Sequence, residues 1–547
     1  MNLAALDPAP FEHEQVRVCV LVCEHLTQYQ RGLDLHTLLL WLEERDPALR
    51  THVLPRLCTG SRQLGEIVSA DGASRVLMAL CGEHFDGGTT HAHLRQAGLD
   101  PLGIEIVNLA ALLAPPTPTD LAADKTKLLL AAAVARARAF RGSSVANVKP
   151  SLPTKLSRRG LLRLPVFTYQ AVPSVVRERC VADRGCTLCA GVCPSRALAI
   201  VDGKVELDKA RCAACGLCVT ACPRGAVYFP GYSPDQIEAE VRVLLDPSIG
   251  ALQPRGILFS CARHSVPVRP LHPSWLIVRL PCLAMAPPTW FLAPFLLGAV
   301  AVGVLPCAGE CRAGRLDVVQ ERVAFCHHLL TTVGARPEAL AYCPPLDQFP
   351  DDGLSDVRTP HPGHEFSASA FGVEPTTVAA VLRELVTRSL DSSNADLAEA
   401  LVIDHPGSPL GLVEIDEQVC TGCGTCGGVC PSEALVYGQE GSQVTLRFHA
   451  ASCLGCGQCL AACPERARGA INVRRATVWK ALREGEREVY RDRIARCIAC
   501  GTPIAPDRML DRVMTLLGNE SHPLRQILTG YCSSCRILAG HRDGGNT

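Results

Sequence analysis

The distribution of hydrophobic and polar residues gives the first part of this chain a regular rhythm. Across residues 1–145, short apolar runs typical of buried strands (16–22 and 75–80) alternate with longer segments of helical periodicity (33–44 and 121–140). Strands that alternate with helices are typical of a parallel sheet covered by helices. The pattern therefore predicts an α/β domain at the start of the chain.

A second region of the same rhythm, residues 233–345, contains an apolar segment with two interpretations. Residues 290–306 are seventeen residues without a charge, which is close to the shortest length that spans a membrane. A proline and two glycines interrupt the segment. A buried helix over 289–297 and a buried strand over 299–305 account for it equally well. We predict the helix and strand, and the membrane span stays as the alternative.

The remaining segments have weaker patterns. Residues 142–170 are basic, contain Pro and Ser and lack periodicity, which predicts a linker. Residues 344–372 are rich in Pro and His and read as a loop, whereas residues 375–390 have the periodicity of a short amphipathic helix.

Length and charge limit the function classes. A chain of 547 residues suggests roughly three to five domains. Lys plus Arg number 54 and Asp plus Glu also number 54, so the formal net charge is zero. Nucleic acids and anionic membranes usually select a basic surface, so the charge balance argues against both partners. A hydrophobic content of 48% is ample for packed cores.

The cysteine content is the unusual feature of the composition. Thirty cysteines could form disulfides only in an oxidising compartment. The first 30 residues carry Asp7, Glu12, Glu14 and Glu24 and do not resemble a secretory signal peptide, and the twin arginine at 158–159 lies far inside the chain. We therefore expect a cytoplasmic protein whose thiolates bind metal.

The strongest motif lies in residues 411–475. It reads Cys420-x2-Cys423-x2-Cys426-x3-Cys430-Pro431 and then Cys453-x2-Cys456-x2-Cys459-x3-Cys463-Pro464. In this bacterial ferredoxin pattern three cysteines of one run bind one 4Fe–4S cluster, and the fourth cysteine binds the other cluster. The pattern assigns Cys420, Cys423, Cys426 and Cys463 to one cluster and Cys453, Cys456, Cys459 and Cys430 to the other.

Residues 176–232 repeat this motif with one departure, which indicates an internal duplication. The regular run is Cys212-x2-Cys215-x2-Cys218-x3-Cys222-Pro223, and its partner is Cys180-x5-Cys186-x2-Cys189-x3-Cys193-Pro194. The crossed assignment gives Cys180, Cys186, Cys189 and Cys222 for one cluster and Cys212, Cys215, Cys218 and Cys193 for the other. Three extra residues follow Cys180, and a 3Fe–4S cluster there is the alternative.

A glycine pattern inside the second module imitates a nucleotide-binding motif. Gly422, Gly424 and Gly427 have the spacing of a dinucleotide fingerprint, but cysteines fill the interior and no strand–turn–helix unit with a later acidic residue follows. We interpret these glycines as relieving steric clashes where the loop wraps a cluster. We expect no flavin or NAD in this chain.

A third group of cysteines lies between the two modules. Cys261, Cys282, Cys307 and Cys311 occupy residues 257–311, and core thiols are the alternative reading of their spacing. Residues 257–314 resemble the iron–sulfur delta subunit of methyl-viologen-reducing hydrogenase. That resemblance implies one 2Fe–2S cluster at these four cysteines and electron transfer to heterodisulfide reductase.

The N-terminal domain resembles the start of the heterodisulfide reductase A subunit. The matching pieces are residues 20–23, 57–59, 79–84, 97–101 and the helix 125–137. The family's flavin domain is missing, and so are two of its cysteines, one of them where Leu112 or Leu113 now stands. The resemblance suggests a further cluster at Cys19, Cys23, Cys58 and Cys81. A scaffold without metal is the alternative.

The tail carries Cys497-x2-Cys500 and Cys532-x2-Cys535. Two such pairs are typical of a zinc ribbon, in which four thiolates close a tetrahedral structural site, and a rubredoxin-like iron would use the same ligands. A nickel–iron hydrogenase centre is excluded because the pairs lie too close together and lack the expected Asp-Pro. His327 and His328 suggest a helix end with satisfied imidazoles, and we interpret Cys343 as a buried thiol.

Together these motifs predict a multidomain α/β and α+β protein. The expected segments are an N-terminal α/β domain (1–145), a linker (146–175), a ferredoxin module (176–232), a 2Fe–2S domain (233–345), a connector (346–410), a second ferredoxin module (411–475) and a zinc-ribbon-like tail (476–547). We expect roughly 16–22 iron atoms per chain from cluster type and ligand count.

The predicted function follows from what the motifs provide and what they omit. Several clusters in one chain suit single-electron transfer, and no nucleophile–base arrangement stands out. We expect a non-catalytic subunit of a cytoplasmic redox complex. It would relay electrons between a hydrogenase- or formate dehydrogenase-type donor and a heterodisulfide reductase-like or flavin acceptor. A redox-sensing or assembly protein that uses its clusters as a switch is the alternative.

Overall fold

The computed structural model describes most of the chain. The described residues are 16–30, 32–55, 57–59, 63–82, 94, 97–100, 102–113, 119–143, 148–151, 168–261, 272–307, 313–342, 366–390, 400–518, 527 and 529–537. Cys311 and Cys343 lie outside this set, as do the twin arginine and two parts of the predicted connector, residues 346–365 and 391–399.

The N-terminal domain is a four-stranded parallel sheet with strand order β2–β1–β3–β4. Its strands are β1 (Val18–Cys23), β2 (Leu49–Leu54), β3 (Arg75–Leu80) and β4 (Ile104–Asn108). Its helices are α1 (Leu26–Tyr29), α2 (Leu35–Arg45), α3 (Leu64–Ala70), α4 (Leu109–Leu113) and α5 (Thr119–Arg138). All six residues of β1 are buried, as expected for a central strand. Strands and helices alternate along this part of the chain.

The segment predicted as a linker contains regular structure. Strands β5 (Val148–Ser151) and β6 (Thr168–Ala171) pair antiparallel. Strand β7 (Ser174–Val175) pairs with β10 (Val227–Tyr228) and so belongs to the first ferredoxin module. The hydrophobic pattern does not predict these strands, because each is short and has few apolar positions.

The first ferredoxin module is small and loop-rich. Between β7 and β10 lie α6 (Leu188–Gly191), β8 (Leu198–Val201), β9 (Lys204–Leu207) and α7 (Leu217–Ala221). Strands β8 and β9 form a hairpin with an Asp-Gly turn at 202–203.

The third domain is again a parallel sheet, with strand order β12–β11–β13–β14. Its elements are α8 (Pro234–Leu244), β11 (Gly256–Cys261), β12 (Trp275–Leu280), α9 (Pro288–Leu296), β13 (Ala301–Leu305), α10 (Leu316–Thr332) and β14 (Leu340–Tyr342). Helix α8 begins with a capping box, in which the Ser233 hydroxyl accepts from the N–H of Gln236. The apolar segment at 290–306 is the predicted buried helix and strand.

The second ferredoxin module and the tail are joined by shared strands. Helix α11 (Pro375–Ser389) precedes them, and the elements that follow are β15 (Val402–Asp404), β16 (Gly411–Ile415), α12 (Thr425–Gly428), β17 (Leu435–Glu440), β18 (Gln443–His449), α13 (Gln458–Ala462), β19 (Ile471–Val478), α14 (Trp479–Glu484), β20 (Glu486–Arg496), β21 (Pro503–Pro506) and α15 (Asp507–Leu516). Strand β20 of the tail pairs with β18 of the module, and β19 crosses the boundary expected at residue 475. No helix among the described residues is long and apolar enough to cross a membrane.

Candidate iron–sulfur and metal sites

The cysteine loops of the ferredoxin modules have a repeated backbone conformation. The residues directly before the second cysteine of each regular run, Ala214, Gly422 and Gly455, have φ of 50°, 65° and 61°. The residues directly after it, Gly216, Gly424 and Gly457, have φ of 73°, 74° and 75°. Two left-handed residues around the central cysteine turn the loop so that its three thiols converge, and glycine adopts this conformation without a Cβ clash. The structure is consistent with our interpretation of Gly422 and Gly424.

Sixteen cysteines form four groups, which we call quartets 1 to 4. Quartet 1 is Cys193, Cys212, Cys215 and Cys218; quartet 2 is Cys180, Cys186, Cys189 and Cys222; quartet 3 is Cys430, Cys453, Cys456 and Cys459; quartet 4 is Cys420, Cys423, Cys426 and Cys463. Quartets 1, 2 and 4 each line a cavity of their own. In quartet 3, burial is the main cause that raises the pKa of Cys453, Cys456 and Cys459, and the charge of Cys430 adds to all three shifts, so the four thiols are neighbours. Each group contains the crossed set that the spacing predicts.

The extra residues after Cys180 form a separate turn. A 3₁₀ turn over Ala182–Arg184 takes up the insertion, with Ala182 buried. Gly185 then has φ of 89° directly before Cys186, which restores the left-handed residue of the regular loops. Cys180 therefore remains in the wall of the cavity that Cys186 and Cys189 line.

This position of Cys180 leads to a test of the three-iron alternative. We expect Cys180→Ser to lose about one iron per chain and to show the EPR signal of an oxidised three-iron cluster, because one corner of the cube loses its thiolate. The control is Cys326→Ala, which removes a buried thiol that contacts Pro288 and no quartet. If Cys180→Ser keeps the iron content and spectrum of the unmodified chain, Cys180 is not a ligand.

Backbone N–H groups surround the quartet sulfurs. The N–H of Ala197 donates to Cys193 Sγ at 3.2 Å, that of Ala434 to Cys430 Sγ at 3.2 Å, and that of Ala226 to Cys222 Sγ at 3.3 Å. In each case the donor lies four residues after the cysteine of a Cys-Pro pair. Such bonds stabilise negative charge on a ligated sulfur and raise the reduction potential of a cluster.

Burial acts on the thiols in the opposite direction. It raises the pKa of Cys189, Cys426 and Cys459 to about 12 each. Without iron these thiols stay protonated at neutral pH, so metal binding must release their protons. Four convergent buried thiols with N–H donors around them fit a 4Fe–4S cluster, which supplies a one-electron redox centre when bound.

Electrostatic interactions between thiols link quartets 1 to 4 in that order, and we call this series the row. The Cys189 charge raises the pKa of Cys218, which joins quartets 1 and 2, and the Cys459 charge raises the pKa of Cys426, which joins quartets 3 and 4. Burial is the main cause of both shifts, and the neighbouring charges add to it. Across the two modules, burial is the main cause that raises the pKa of Cys186 of quartet 2, and the charge of Cys456 of quartet 3 adds a small contribution.

Three charged side chains lie at the junction between the two ferredoxin modules. The carboxylate of Glu433 lies 3.4 Å from the guanidinium groups of both Arg184 and Arg224. Glu433 also has φ of 57°, which turns its backbone beside the quartet 3 ligand Cys430. The Arg184 and Glu433 side chains are about half exposed and that of Arg224 about one third exposed, so we expect them to fix the relative orientation of the modules more than to stabilise them.

The candidate 2Fe–2S residues share one edge of the third domain's sheet. Cys261 ends β11, Cys282 lies just after β12, and Cys307 lies just after β13. These strands are parallel neighbours, so their carboxyl ends meet. Cys311, the fourth predicted ligand, lies outside the described residues. The structure thus brings three of the four positions to the same edge.

Arg322 is a functional candidate that the sequence analysis missed. Its guanidinium donates to the carbonyl oxygens of Ala284 and Ala286, both at 2.6 Å. Burial lowers the pKa of Arg322 to about 10, and its charge interacts with the thiols of Cys282 and Cys326. A buried positive charge beside Cys282 favours the reduced state of a cluster bound there.

The third domain also contacts quartet 1. Gly216, which follows Cys215, packs against Met285, and a Cβ added at Gly216 would lie 2.5 Å from Met285 Sδ. Met285 ends the 3₁₀ turn Leu283–Met285, which begins directly after Cys282. The candidate 2Fe–2S edge and quartet 1 are therefore connected through one short turn.

The tail cysteines form a compact group. The Sγ atoms of Cys497, Cys500, Cys532 and Cys535 all lie within 4.8 Å of one another, and the Cys500 and Cys532 sulfurs are 3.6 Å apart. In the loop that carries Cys497 and Cys500, the N–H of Gly501 donates to the Cys497 carbonyl oxygen at 2.8 Å. The N–H of Cys532 lowers the pKa of Cys497 to about 6. One thiolate is therefore present at neutral pH, as a metal ligand requires.

The N-terminal group differs from the predicted one. Cys23, Cys58 and Cys81 come together, and their fourth neighbour is His25. The prediction that Cys19 joins them is wrong, because Cys19 lies four residues before Cys23 on the extended strand β1, about 13 Å away at the usual rise. Cys19 instead lies beside His52 and Asp71.

The histidine pair has the structural role that was expected. His327 Nε2 lies 2.7 Å from the Leu340 carbonyl oxygen, and the His328 ring lies 6.2 Å from the His405 ring. Both lie in the last turns of α10. Among the described residues neither belongs to a group of metal-ligating side chains.

Comparison with known protein families supports the two ferredoxin modules. The model of a 4Fe-4S dicluster domain matches residues 412–464, and that of a 4Fe-4S binding domain matches residues 205–228. The second match contains Cys212, Cys215, Cys218 and Cys222. It begins after the irregular run, which extends from Cys180 to Cys193.

Curated proteins match over short segments. Formate hydrogenlyase subunit 2 of Escherichia coli K12 is 49% identical over 51 residues, which is 9% of this chain and 25% of that protein, and the Shigella flexneri subunit gives the same values. An uncharacterized ferredoxin of Methanocaldococcus jannaschii is 48% identical over 41 residues, 8% of this chain and 27% of that protein. The chain spans about a quarter of the length of these relatives. It is thus an iron–sulfur protein with two 4Fe–4S ferredoxin-type domains.

Proposed function

We propose that this chain is an electron-transfer subunit of a cytoplasmic redox complex. The observation that supports this most directly is the row of four quartets, which continues across the junction between the modules. A redox sensor needs one responsive cluster, whereas a row of neighbouring sites suits transfer from one end to the other.

In this proposal each quartet holds a 4Fe–4S cluster. Cys261, Cys282, Cys307 and Cys311 hold a 2Fe–2S cluster, and Cys497, Cys500, Cys532 and Cys535 hold a structural zinc ion. The turn at Met285 gives the 2Fe–2S edge contact with quartet 1. At the other end, Tyr490 of the tail packs against Gly422 and covers quartet 4.

The partners follow from these two ends. The local similarity to a formate hydrogenlyase subunit supports a hydrogenase- or formate dehydrogenase-type partner. The resemblance of residues 257–314 to a hydrogenase delta subunit supports a heterodisulfide reductase-like or flavin partner at the quartet 1 end. Substrate chemistry then takes place on those partners, and this chain carries single electrons between them.

Anaerobic reconstitution tests the proposal. The purified chain, loaded with iron and sulfide and reduced with dithionite, should bind roughly 16–22 iron atoms and show EPR signals of reduced clusters. We expect those signals to disappear on reoxidation and to return on a second reduction. A loaded protein without any reducible signal would contradict electron transfer, and a protein whose partner binding responds only to cluster loss would favour the switch.

A further inference from the structure

The N-terminal domain brings together four ligands from three separate places in the chain. Cys23 is the last residue of β1, and His25 caps the start of α1 two residues later. Cys58 lies in the 3₁₀ turn that follows β2, and Cys81 directly follows β3. Strands β1, β2 and β3 are parallel neighbours, so these four positions meet at the carboxyl edge of the sheet.

The spacing of the ligand atoms is that of a single ion. The Cys23 and Cys81 sulfurs lie 3.5 Å apart, Cys58 Sγ lies 3.5 Å from His25 Nδ1, and all four ligand atoms are within 4.8 Å of one another. Ligands bound at ~2.0–2.3 Å around a tetrahedral zinc ion are separated by ~3.4–3.8 Å. The two separations of 3.5 Å fall within this range.

The ferredoxin quartets have a different spacing. Within the described part of the chain, the tail cysteines share the compact arrangement, and the quartets do not reach it. A cube binds each thiolate to a different iron, so its four sulfurs must lie farther apart than the ligands of one ion. The N-terminal group therefore belongs with the tail group in geometry and not with the quartets.

We propose that Cys23, His25, Cys58 and Cys81 bind one tetrahedral Zn²⁺ ion. Three thiolates and a neutral imidazole form a donor set typical of closed structural zinc sites. The ion would fasten the carboxyl ends of β1, β2 and β3 to the start of α1. Because zinc has no redox chemistry, the site stands outside the electron row and goes beyond the proposed function.

The burial of the group suits a structural ion. Cys23 and Cys81 are buried at the sheet, whereas Cys58 and His25 are half-buried. The metal would therefore enter from the side of Cys58 and His25, and the two buried thiols would bind it from the side of the sheet. His25 binds through Nδ1, the ring nitrogen that faces Cys58.

Metal analysis of the full chain, purified anaerobically, tests this site. We expect His25→Ala and Cys58→Ser each to lower zinc by about one ion per chain and to leave iron unchanged. The matched control is His36→Ala, which removes an exposed histidine of α2 in the same domain that belongs to no group of metal-ligating side chains among the described residues. A loss of about four iron atoms in the His25 or Cys58 variants, or unchanged zinc in both, overturns the proposal.

A compensating substitution and a Co²⁺ absorption spectrum distinguish loss of the zinc site from loss of folding. His25→Cys should retain the zinc, because it supplies a fourth thiolate. With Co²⁺ in place of zinc, the unmodified chain should show the intense visible bands of tetrahedral cobalt, and His25→Cys should shift them as a nitrogen ligand is replaced by sulfur. Bands that do not move in His25→Cys place the cobalt elsewhere and contradict the assignment of His25. The reducible EPR signals of the quartets test the proposed function separately, since no quartet cysteine is changed.

Discussion

Replacing Cys456 and Cys459 together with alanine will leave one magnetically isolated centre in the fully reduced protein. These two cysteines belong to quartet 3, which lies between quartet 2 and quartet 4 in the row. Their loss should remove about four iron atoms per chain. Quartets 1 and 2 stay adjacent, while quartet 4 loses its only neighbour in the row.

The readout is the shape of the EPR signal. Reduced clusters that lie close together broaden and split each other's signals through their magnetic interaction. In the unmodified chain every quartet has a neighbour, so we expect a broadened spectrum. In the Cys456→Ala/Cys459→Ala variant a narrow signal of about one spin per chain should appear from quartet 4.

The matched control removes the end of the row instead of its interior. Cys423→Ala with Cys426→Ala should lose the same amount of iron from quartet 4 and leave quartets 1 to 3 adjacent. That variant should therefore show no narrow signal. The same narrow signal in both double variants would mean that quartets 2 and 3 do not interact, and the proposed row would be broken at the junction of the modules.

The spacing of the cysteines was sufficient to predict the quartets, because the ferredoxin loop is a local structure. Each regular run places three thiols within seven residues, and the left-handed residues that turn the loop are mostly visible as glycines. Ala214 takes the same conformation without that signal. The insertion after Cys180 left its position open, because sequence spacing does not show whether extra residues leave a site or loop away from it.

Contacts between distant segments could not be read in the same way. His25 lies beside its three cysteines only because β1, β2 and β3 are neighbours in the sheet. The spacing of cysteines along the sequence does not predict the order of strands in a sheet. Its one sequence signal was the Cys-x-His pair at 23–25 beside a buried strand. Glu433 and Arg322 are likewise ordinary charged residues until the packing of domains places them beside Cys430 and Cys282.

A buried ion network joins the N-terminal domain to the rest of the molecule. Arg136 of α5 is 6% exposed, and its guanidinium lies 2.5 Å from Glu240 of α8 and 3.5 Å from Glu105 of β4. It also donates to the Gly231 carbonyl at 2.7 Å. Burial raises the pKa of both glutamates, and the Arg136 charge opposes that shift. Removing the arginine therefore leaves two partly buried carboxylates without their partner.

We expect Arg136→Met to destabilise the contact between α5 and α8 by ~3–5 kcal/mol, the usual cost of breaking a buried ion pair from one side. Hydrogen exchange of the α5 and α8 amides in the anaerobic holoprotein measures this, and protection should fall by about a hundredfold or more. Arg136→Met/Glu240→Met, which removes both members of the shorter pair, should recover part of the loss.

The dependence on pH separates this network from a simple loss of packing. In Arg136→Met the folded-state pKa of Glu105 and Glu240 rises further above the unfolded value, so the folded state binds more protons than the unfolded state between the two values. Stability then falls as pH rises through that range and recovers as pH falls. After correction for intrinsic exchange rates, the protection lost by Arg136→Met should be smaller at about pH 5 than at about pH 7.5. An equal loss at both values would show that the arginine acts through its volume and not its charge.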